Sequence, residues 1–308
     1  MEVSVLIPTY NGARTIKDTL LSVINQTFSP KEIIILVDGS NDCTLEVLSF
    51  FKNQISVYVQ ENRGVANARN RLIQMAKGDI LAFIDHDDIW HPKFLEIQIE
   101  SLRKYKEAVA SFTDHIIFKK EEGGYSWSIR TSQKNKIMAE LIEPVNFLKR
   151  YNKSGIFGSM SYCCFRREAL LHLGDDPFGN LRWAEDLLFF HKLPLIGSII
   201  YIPLPLVAYR VHKENYSKNV IEGLESSVKN LEYLKKEYKR QPNRILRRTF
   251  NKILASKRRQ YAKVLFGLGE VKKAQRQIFY SIKDCLDLLS ISKSIGLLIV
   301  GSLVNKPQ

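Results

Sequence analysis

The stretch Ile80-Leu81-Ala82-Phe83-Ile84-Asp85-His86-Asp87-Asp88 joins five consecutive apolar residues to an acidic cluster. An apolar run without alternation is typical of a strand that is buried on both faces of a parallel sheet. Three carboxylates then follow within four residues, where this strand ends. Because ligands of open α/β sheets bind outside the carboxyl ends of the strands, the stretch predicts both the sheet and the place of its site.

Similar short apolar runs precede this stretch and are separated by segments with helical spacing. This order predicts an α/β domain, doubly wound, with a mainly parallel central sheet and helices on both faces. A helix through Phe94 and Leu102 follows it, and the strand pieces beyond it predict a less regular second half of the domain. The predicted strands are Val3–Ile7, Ile33–Val37, Val57–Val59, Ile80–Ile84, Val109–Phe118 and Tyr125–Ile129, with early helices at Thr15–Ile24, through Leu45, Leu48 and Phe51, and at Ala66–Ala76.

The formal net charge of +14 is unevenly distributed along the 308 residues. Residues 1–212 contain 25 Lys and Arg against 24 Asp and Glu, whereas residues 213–308 contain 21 against 8, so the two parts carry +1 and +13. A split of this kind assigns the basic surface to an appendage. We therefore expect a catalytic domain at 1–216 and a basic helical C-terminal region at 217–308.

The C-terminal region has helical spacing throughout. One helix is predicted around Leu224, Val228 and Leu231 and ends before Pro242. A helical hairpin is predicted from Ile253–Leu268 and Val271–Leu289, and its apolar positions resemble a single tetratricopeptide-like unit. No apolar run reaches the roughly 20 residues that span a bilayer, and no secretory signal or disulfide framework is apparent. We expect a cytoplasmic protein, peripheral at the inner face of the plasma membrane.

Acidic residues follow two separate predicted strands. Asp38 comes after Ile33–Val37, and Asp85, Asp87 and Asp88 come after Ile80–Ile84. Each such residue taken alone is more readily explained as the cap of the next helix. Asp85 and Asp87 cannot both cap the helix that begins near Pro92, however. Carboxylates that meet at one sheet edge repel one another and favour a hard divalent cation, of the kind that accompanies a diphosphate.

Five motifs in order resemble the inverting family-two glycosyltransferases of the GT-A fold, of the bacterial surface-polysaccharide type. The resemblance covers roughly residues 1–217, and the ordered set is far more specific than any one motif. The motifs are Leu6-Ile7-Pro8-Thr9-Tyr10-Asn11, Val37-Asp38-Gly39-Ser40-Asn41-Asp42, Gly64-Val65-Ala66-Asn67-Ala68-Arg69-Asn70, Asp85-His86-Asp87-Asp88 and Trp183-Ala184-Glu185-Asp186.

The resemblance implies a donor site that takes a nucleotide-sugar, most often a UDP-sugar. A carboxylate such as Asp38 accepts a hydrogen bond from a ring N–H of the base, and Tyr10 can stack on it. Arg69 matches the basic residue of the same pocket, although an Arg on a helix is otherwise more often solvated. The residues implied in nucleotide-sugar binding are Pro8, Thr9, Tyr10, Asn11, Asp38, Arg69, Asp85, His86 and Arg210, of which His86 occupies a variable position.

The resemblance further implies that Asp87 binds Mn²⁺ or Mg²⁺ bridging the two phosphates, which assists departure of the nucleoside diphosphate. Asp186 matches the catalytic base that deprotonates the acceptor hydroxyl, and Glu185 orients the acceptor or Asp186. Acids at a helix N-terminus are also favoured by the helix dipole, which is the structural alternative for this pair. His212, in a segment that closes over the donor in many relatives, is a candidate second metal ligand, and Arg210 could pair with phosphate.

The implied acceptor is a saccharide or a lipid-linked sugar, and the absence of a Gln-x-x-Arg-Trp motif favours transfer of a single sugar. The basic residues between Lys235 and Lys263, interleaved with Leu246, Phe250, Ile253 and Leu254, predict docking of residues 217–308 on an anionic membrane surface. A solvated helical face is the simpler explanation of such a charge run.

Three other functions fit parts of the sequence. A nucleic-acid-binding protein would explain the basic tail, but no base-stacking or groove-reading module accompanies it, and we expect no nucleic acid partner. A nucleotidyltransferase needs a glycine-rich basic loop after the first strand, whereas Pro8–Gly12 contains a single glycine. An inactive sugar-nucleotide-binding module is disfavoured because all the proposed catalytic acids are present.

Overall fold

The computed structural model describes residues 1–118, 139–154, 158–179, 184–211 and 220–304. The chain divides into two compact units. The first contains Met1–Phe147 and Ser154–Asn215, and the second contains Leu148–Lys153 and Tyr216–Gln308. His212, Trp183 and the predicted strand Tyr125–Ile129 lie outside the described residues.

The first unit begins with alternating strands and helices, as the apolar runs predict. Each strand interior is buried in β1, β2 and β4, and each helix turns one apolar side inward, for example Ile16, Leu20 and Val23 of α1. These elements are β1 (Val3–Thr9), α1 (Ile16–Ile24), β2 (Glu32–Asp38), α2 (Thr44–Ser49), β3 (Ser56–Gln60), α3 (Val65–Met75) and β4 (Ile80–Phe83).

The remainder of the first unit completes a mixed sheet, whose strand order among the described residues is β3-β2-β1-β4-β8-β6-β9-β5, with β7 paired to β9. Strands β3, β2, β1 and β4 are mutually parallel, as are β6 and β9, while β8 runs antiparallel to β4 and β6. The prediction of a GT-A-type α/β fold followed by a helical region is confirmed. The added elements are β5 (Ile89–Trp90), α4 (Phe94–Lys104), β6 (Ala108–Phe118), β7 (Glu140–Ile142), α5 (Pro144–Ser154, of which Leu148–Lys153 belong to the second unit), β8 (Cys163–Arg166), α6 (Arg167–Leu171), α7 (Glu185–Lys192) and β9 (Ser198–Arg210), with 3₁₀ turns at Met160–Tyr162 and Leu193–Leu195.

The chain order places a topological switch point between β1 and β4. From β1 the chain winds outward through β2 to β3, then returns to the other side of β1 as β4. A crevice opens at the carboxyl ends of two parallel strands whose following connections diverge in this way. The loops that follow β1 and β4 therefore flank one crevice, and they carry Thr9–Asn11 and Asp85–Asp87.

The edge strand β3 departs from the expectation that both faces of the sheet are covered. Val57, Tyr58 and Val59 are all exposed, although they form the strand that their apolar run predicts. The run is short, and among the described strands β3 is hydrogen-bonded to β2 alone. An apolar composition alone does not distinguish a covered central strand from an edge strand.

The second unit contains four helices after residue 219, α8 (Val220–Arg240), α9 (Arg244–Gly267), α10 (Val271–Asp284) and α11 (Leu288–Val304). The break at Pro242 is as predicted, and Asn243 caps α9 by accepting from the backbone N–H of Ile245 and Leu246, both at 3.0 Å. Within the described ranges, no helix is both long and apolar enough to cross a bilayer.

The prediction of one helix over Val271–Leu289 is wrong, because α10 ends at Asp284. The Asp287 carboxylate accepts a hydrogen bond from the backbone N–H of Ser290 at 3.0 Å, which caps the next helix. The hairpin core is as predicted, since Ala262, Leu265, Ala274 and Ile278 pack in one buried cluster.

Candidate active site

The loop after β1 is tied to the loop after β2. Asn11 adopts a left-handed conformation with φ of 50°, and its backbone N–H donates to Ser40 Oγ at 2.9 Å. Its side-chain oxygen accepts from the backbone N–H of Asn41 at 3.0 Å. Asn tolerates this backbone conformation better than most residues. Pro8 is buried in β1, so the loop leaves the sheet from a fixed strand end.

Thr9 and Tyr10 differ in exposure although they are adjacent. Tyr10 is 46% exposed at the crevice, which leaves its ring accessible to a ligand. Thr9 is buried, and its hydroxyl has no hydrogen-bond partner among the described residues. Buried polar groups almost always have a partner, and an unsatisfied one costs about 1–3 kcal/mol. An unsatisfied hydroxyl at the end of β1 suits a residue that is completed by a ligand.

Asp38 is buried, and both of its carboxylate oxygens already accept hydrogen bonds. One oxygen accepts from Gln60 Nε2 at 2.7 Å and from the backbone N–H of Arg63 at 2.8 Å, and the other from the backbone N–H of Gly64 at 2.8 Å. Asp38 thus holds the loop that leads into α3. A carboxylate has about four acceptor positions, so one remains for a ring N–H.

Gly39 is needed directly after Asp38. Its φ is +69°, and a Cβ there would lie 2.6 Å from the backbone nitrogen of Asn62. Both the left-handed backbone and the close approach exclude other residues at this position without strain. The turn therefore fixes the direction in which the Asp38 side chain leaves β2.

The acidic cluster after β4 separates into two environments. Asp85, His86 and Asp87 are half-buried, whereas Asp88 is fully buried. One oxygen of Asp88 accepts from the backbone N–H of Arg210 at 3.2 Å, and the other has no partner among the described residues. Burial, followed by the charges of Asp87 and Asp85, raises the pKa of Asp88 well above its ordinary value. Asp88 therefore belongs structurally to the interior, while the two half-buried acids face the crevice.

His86 packs against the loop after β1. A Cβ on Gly12 would lie 2.8 Å from His86 Cδ2, so the histidine ring occupies the space that this glycine leaves open. The backbone oxygen of His86 also accepts from the Thr19 hydroxyl at 2.9 Å. The variable position in the acidic motif thus has a packing role that the motif did not indicate.

Arg69 joins the acidic cluster to the acidic pair of α7. Its side chain is 6% exposed, and it donates to Asp85 Oδ1 at 2.8 Å and to Glu185 Oε1 at 2.9 Å. The guanidinium also lies 5.5 Å from the centre of the Phe178 ring. Burial lowers the pKa of Arg69, but the charges of Asp85 and Glu185 raise it further, so the group stays charged. One cation thereby holds together motifs that are 16 and 116 positions away in sequence.

Glu185 and Asp186 begin α7, after Ala184 in a left-handed conformation with φ of 58°. Burial, followed by the charge of Asp186, raises the pKa of Glu185 to about 7, although Arg69 acts in the opposite direction. Burial likewise raises the pKa of Asp186. A carboxylate with a raised pKa is the usual form of a general base that works near neutral pH.

Arg210 lies at the end of β9, against the acidic cluster. Its side chain is 4% exposed, and it donates from Nε to the backbone oxygen of Asp87 at 2.8 Å and from NH2 to Asp18 Oδ2 at 3.2 Å. The guanidinium lies 4.8 Å from the centre of the Phe118 ring. Arg210 thus braces the backbone of the residue proposed to bind the metal.

Several residues that the motifs did not single out support this arrangement. Ser161 Oγ accepts from the backbone N–H of Asp85 at 3.0 Å, and the backbone oxygen of Ser161 accepts from Trp90 Nε1 at 2.8 Å. Asn70 accepts from the backbone N–H of Phe178 at 3.0 Å, which positions the ring beside Arg69. Asn70 is the last residue of the third motif, and this position next to Arg69 is the sequence feature that could have indicated its role.

The donor set at the carboxyl end of β4 fits a divalent ion that is carried by a diphosphate. Among the described residues, no three His, Cys, Asp or Glu side chains form a closed metal site. An Mg²⁺ or Mn²⁺ ion that is bound to a nucleotide requires fewer protein ligands, because most of its ligands are phosphate oxygens and water. A half-buried carboxylate such as Asp87, beside the second carboxylate Asp85, has the appropriate chemistry.

Solved structures with the same fold include Staphylococcus aureus TarS 1–349 in complex with UDP-GlcNAc. The TM-score is 0.71 at 19% identity, and the match covers 97% of this chain and 89% of that chain. The same TarS segment in complex with UDP matches with a TM-score of 0.64 at 17% identity, covering 100% of this chain and 93% of that one. At such identities the likeness shows the fold.

Curated relatives match over parts of their length. UDP-Glc:α-D-GlcNAc-diphosphoundecaprenol β-1,3-glucosyltransferase WfgD of Escherichia coli is 38% identical over 104 residues, 33% of this chain and 41% of WfgD. The putative teichuronic acid biosynthesis glycosyltransferase TuaG of Bacillus subtilis is 38% identical over 117 residues, 37% of this chain and 46% of TuaG. The matches thus span less than half of either relative.

Residues 4–174 match the family model described as glycosyl transferase family 2. This segment includes Asp38, Arg69 and the acidic cluster 85–88, while the pair Glu185 and Asp186 lies beyond it. Because the match extends over more than half of the 308 residues, the chain belongs to glycosyl transferase family 2.

Proposed function

We propose that the protein transfers a single sugar from a nucleotide-sugar, a UDP-sugar, to a hydroxyl group of a saccharide or lipid-linked acceptor, with inversion at the anomeric carbon. One observation carries this proposal. Arg69 bridges Asp85, on the donor side of the crevice, to Glu185, the neighbour of the candidate base. This contact supports a single site that combines the proposed donor residues with Asp186, as a displacement reaction requires.

The relatives support the choice of donor and pathway class. WfgD is named as using UDP-Glc and an undecaprenol-linked GlcNAc diphosphate, and TarS was solved with UDP-GlcNAc. TuaG is named for teichuronic acid biosynthesis. By analogy, we place this chain in the synthesis of a bacterial surface polysaccharide, with the base held by Thr9, Tyr10 and Asp38.

The proposed reaction is a single displacement. An acceptor oxygen forms a bond to the anomeric carbon while the bond from that carbon to the diphosphate oxygen breaks on the opposite face. Asp186 receives the proton of the acceptor hydroxyl, for which its raised pKa is suited. Glu185, fixed by Arg69, orients the acceptor or Asp186. Asp87, with His212 as a further candidate ligand, would hold a divalent ion, which would neutralise charge on the departing nucleoside diphosphate.

Donor binding provides the direct test of this function. We expect UDP with Mn²⁺ to raise the melting temperature of the protein more than GDP or dTDP does, because a ligand that binds only the folded state stabilises it. In calorimetry, Asp87→Asn is expected to lose the gain in UDP affinity that Mn²⁺ provides. Asp175→Asn, which changes an exposed acid of the same unit, serves as the control. An unchanged metal dependence in Asp87→Asn would exclude the assigned ligand.

The pH dependence of transfer tests the pairing of Glu185 with Asp186. At neutral pH Glu185, with a pKa of about 7, is partly charged and opposes ionisation of its neighbour. Glu185→Gln removes this charge and leaves Arg69 less neutralised, and both changes stabilise charged Asp186. The acid limb of the kcat/KM profile is therefore expected to move to lower pH. A limb that stays in place or moves upward would contradict the pairing.

We place the protein at the cytoplasmic face of the plasma membrane, where a lipid-linked acceptor would be presented. The excess of +13 charges in residues 213–308 favours an anionic surface. The structure of the second unit excludes one form of this docking. The apolar residues Leu246, Phe250, Ile253 and Leu254 are buried in the core of that unit. These side chains, which interleave with the basic residues of α9, are not presented to lipid.

A further inference from the structure

Helix α11 (Leu288–Val304) turns polar side chains toward the interior of the second unit. Ser290 and Ser294 are buried, at 6% and 0% exposure. Arg259 NH1 donates to Ser290 Oγ at 2.8 Å, and Ser294 Oγ lies 2.9 Å from Ser281 Oγ. The inner face does carry the half-buried Leu297 and Leu298, but its best-buried positions are serines. This inverts the usual arrangement of a surface helix, in which apolar residues point inward.

The exposed side of the same helix carries several large apolar residues beside the small residues Ser292 and Gly296 and the cation Lys293. Leu288 is 87% exposed, Leu289 63%, Ile295 47% and Ile299 58%, and Leu286 just before the helix is 74% exposed. Single exposed apolar residues are ordinary, but a group of five on one short segment indicates a surface that is covered in function. We call Leu286, Leu288, Leu289, Ile295 and Ile299 the apolar strip.

The charges around the apolar strip are mostly positive. The segment from Val271 to Val304 contains two acids, and both form ion pairs within the unit. Asp284 accepts from Arg258 Nε at 2.6 Å, and Asp287 lies 3.4 Å from Lys252 Nζ. The cations of the same segment are Lys272, Lys273, Arg276, Lys283 and Lys293. This part of the unit is therefore net cationic with its acids already neutralised.

We propose that the apolar strip inserts into the boundary between headgroups and acyl chains of an anionic bilayer, while the neighbouring lysines contact lipid phosphates. The inference rests on the proposed function, since a membrane-bound acceptor gives the docking its use. A 17-residue helix is about 26 Å long and lies along the membrane plane in this arrangement. Lys293 on the helix itself is exposed and follows Leu289 by about one turn, where it can reach a phosphate.

Charge favours lipid over a second copy of the chain as the occupant. Two copies that met through their apolar strips would bring Lys283 and Lys293 of each against those of the other. Like charges across an interface cost binding energy, whereas anionic headgroups lower the free energy of the same lysines. An anionic membrane therefore satisfies both the apolar residues and the charges that surround them.

Vesicle flotation of the full chain tests this inference at low salt, with vesicles of phosphatidylglycerol and phosphatidylcholine against phosphatidylcholine alone. We expect binding to the anionic vesicles only. The double variant Leu289→Ser, Ile295→Ser is expected to bind at least about tenfold more weakly, because two apolar side chains no longer enter the lipid. Ile245→Ser, which changes a 63% exposed residue of α9, is expected to bind as the unaltered protein does.

Three outcomes would overturn the inference. They are no binding of the unaltered chain, equal binding by the double variant, and a dimer that the double variant converts to monomer, which would make a second copy the occupant. Sedimentation velocity distinguishes the last case, and thermal melting checks that each variant folds. UDP binding with Mn²⁺, measured in the same preparations without vesicles, separates failure of this surface from failure of the proposed function.

Discussion

Asp186→Asn is expected to lower kcat for sugar transfer by about 10²–10⁴-fold, the range that a positioned general base contributes. The amide cannot accept the proton of the acceptor hydroxyl. Asn is close to Asp in size, so the side chain can still accept a hydrogen bond from the backbone N–H of Leu187, as Asp186 does at 2.7 Å. The loss should therefore fall on catalysis rather than on folding.

Binding measurements separate this loss from damage to the donor site. UDP affinity in the presence of Mn²⁺ is expected to stay unchanged in Asp186→Asn, because Asp38, Asp85 and Asp87 are untouched. Asp175→Asn, on an exposed position of the same unit, is expected to retain full activity. If Asp186→Asn transferred sugar at the unaltered rate, Asp186 would not be the base, and the acids of α7 would serve the helix dipole alone.

The parts of the fold that could be predicted from the sequence are those with a local signal. The runs that became β2 and β4 have no polar interruption, the run that became β1 has only Ser4, and an acid or a polar loop marks each carboxyl end. Such a pattern predicts where the strands lie along the chain, and therefore predicts a crevice at their carboxyl ends. The break at Pro242 was predictable for the same reason, because proline lacks the backbone N–H of a helix interior.

The missed features depend on contacts that no local pattern records. Arg69 was read as a residue of the base pocket, yet its contacts with Asp85 and Glu185 appear only once α3, β4 and α7 are folded together. Asp88 is buried, whereas the neighbouring acids Asp85 and Asp87 are half-buried. Asp88 accepts a hydrogen bond from the backbone N–H of Arg210, which is 122 positions away in sequence. The serines of α11 point inward because side chains on α9 and α10 form hydrogen bonds with them. The apolar composition of α11 alone did not predict this orientation.

Loss of the Arg69 bridge is expected to produce the largest effect on stability. Arg69→Met keeps much of the side-chain volume beside Phe178 but leaves the carboxylates of Asp85 and Glu185 without their shared cation. Removing one partner of a buried ion pair costs about 3–5 kcal/mol of unfolding free energy. The cost here should lie near the lower end, because the Asp85 side chain is 28% exposed and is partly stabilised by water.

The effect of Arg69→Met should depend on pH in a definite direction. Burial already raises the pKa of Glu185 to about 7, and Arg69 is the group that opposes this rise. Without Arg69 the pKa of Glu185 lies higher still, so the folded variant holds a proton that the unfolded chain releases above its ordinary pKa. The stability of the variant therefore falls as pH rises through this range, and its deficit relative to the unaltered protein grows.

Urea unfolding at pH 5.5 and pH 8 measures this difference. We expect the deficit of Arg69→Met to be larger at pH 8 than at pH 5.5. Arg71→Met provides a matched control, because Arg71 lies on the same helix, is exposed and donates to Gln60 Oε1 at 3.0 Å. That control should change stability by about 0.5 kcal/mol or less at either pH. A deficit in Arg69→Met that was equally small, or that shrank toward pH 8, would mean that the three motifs are held together by packing around Phe178 rather than by charge.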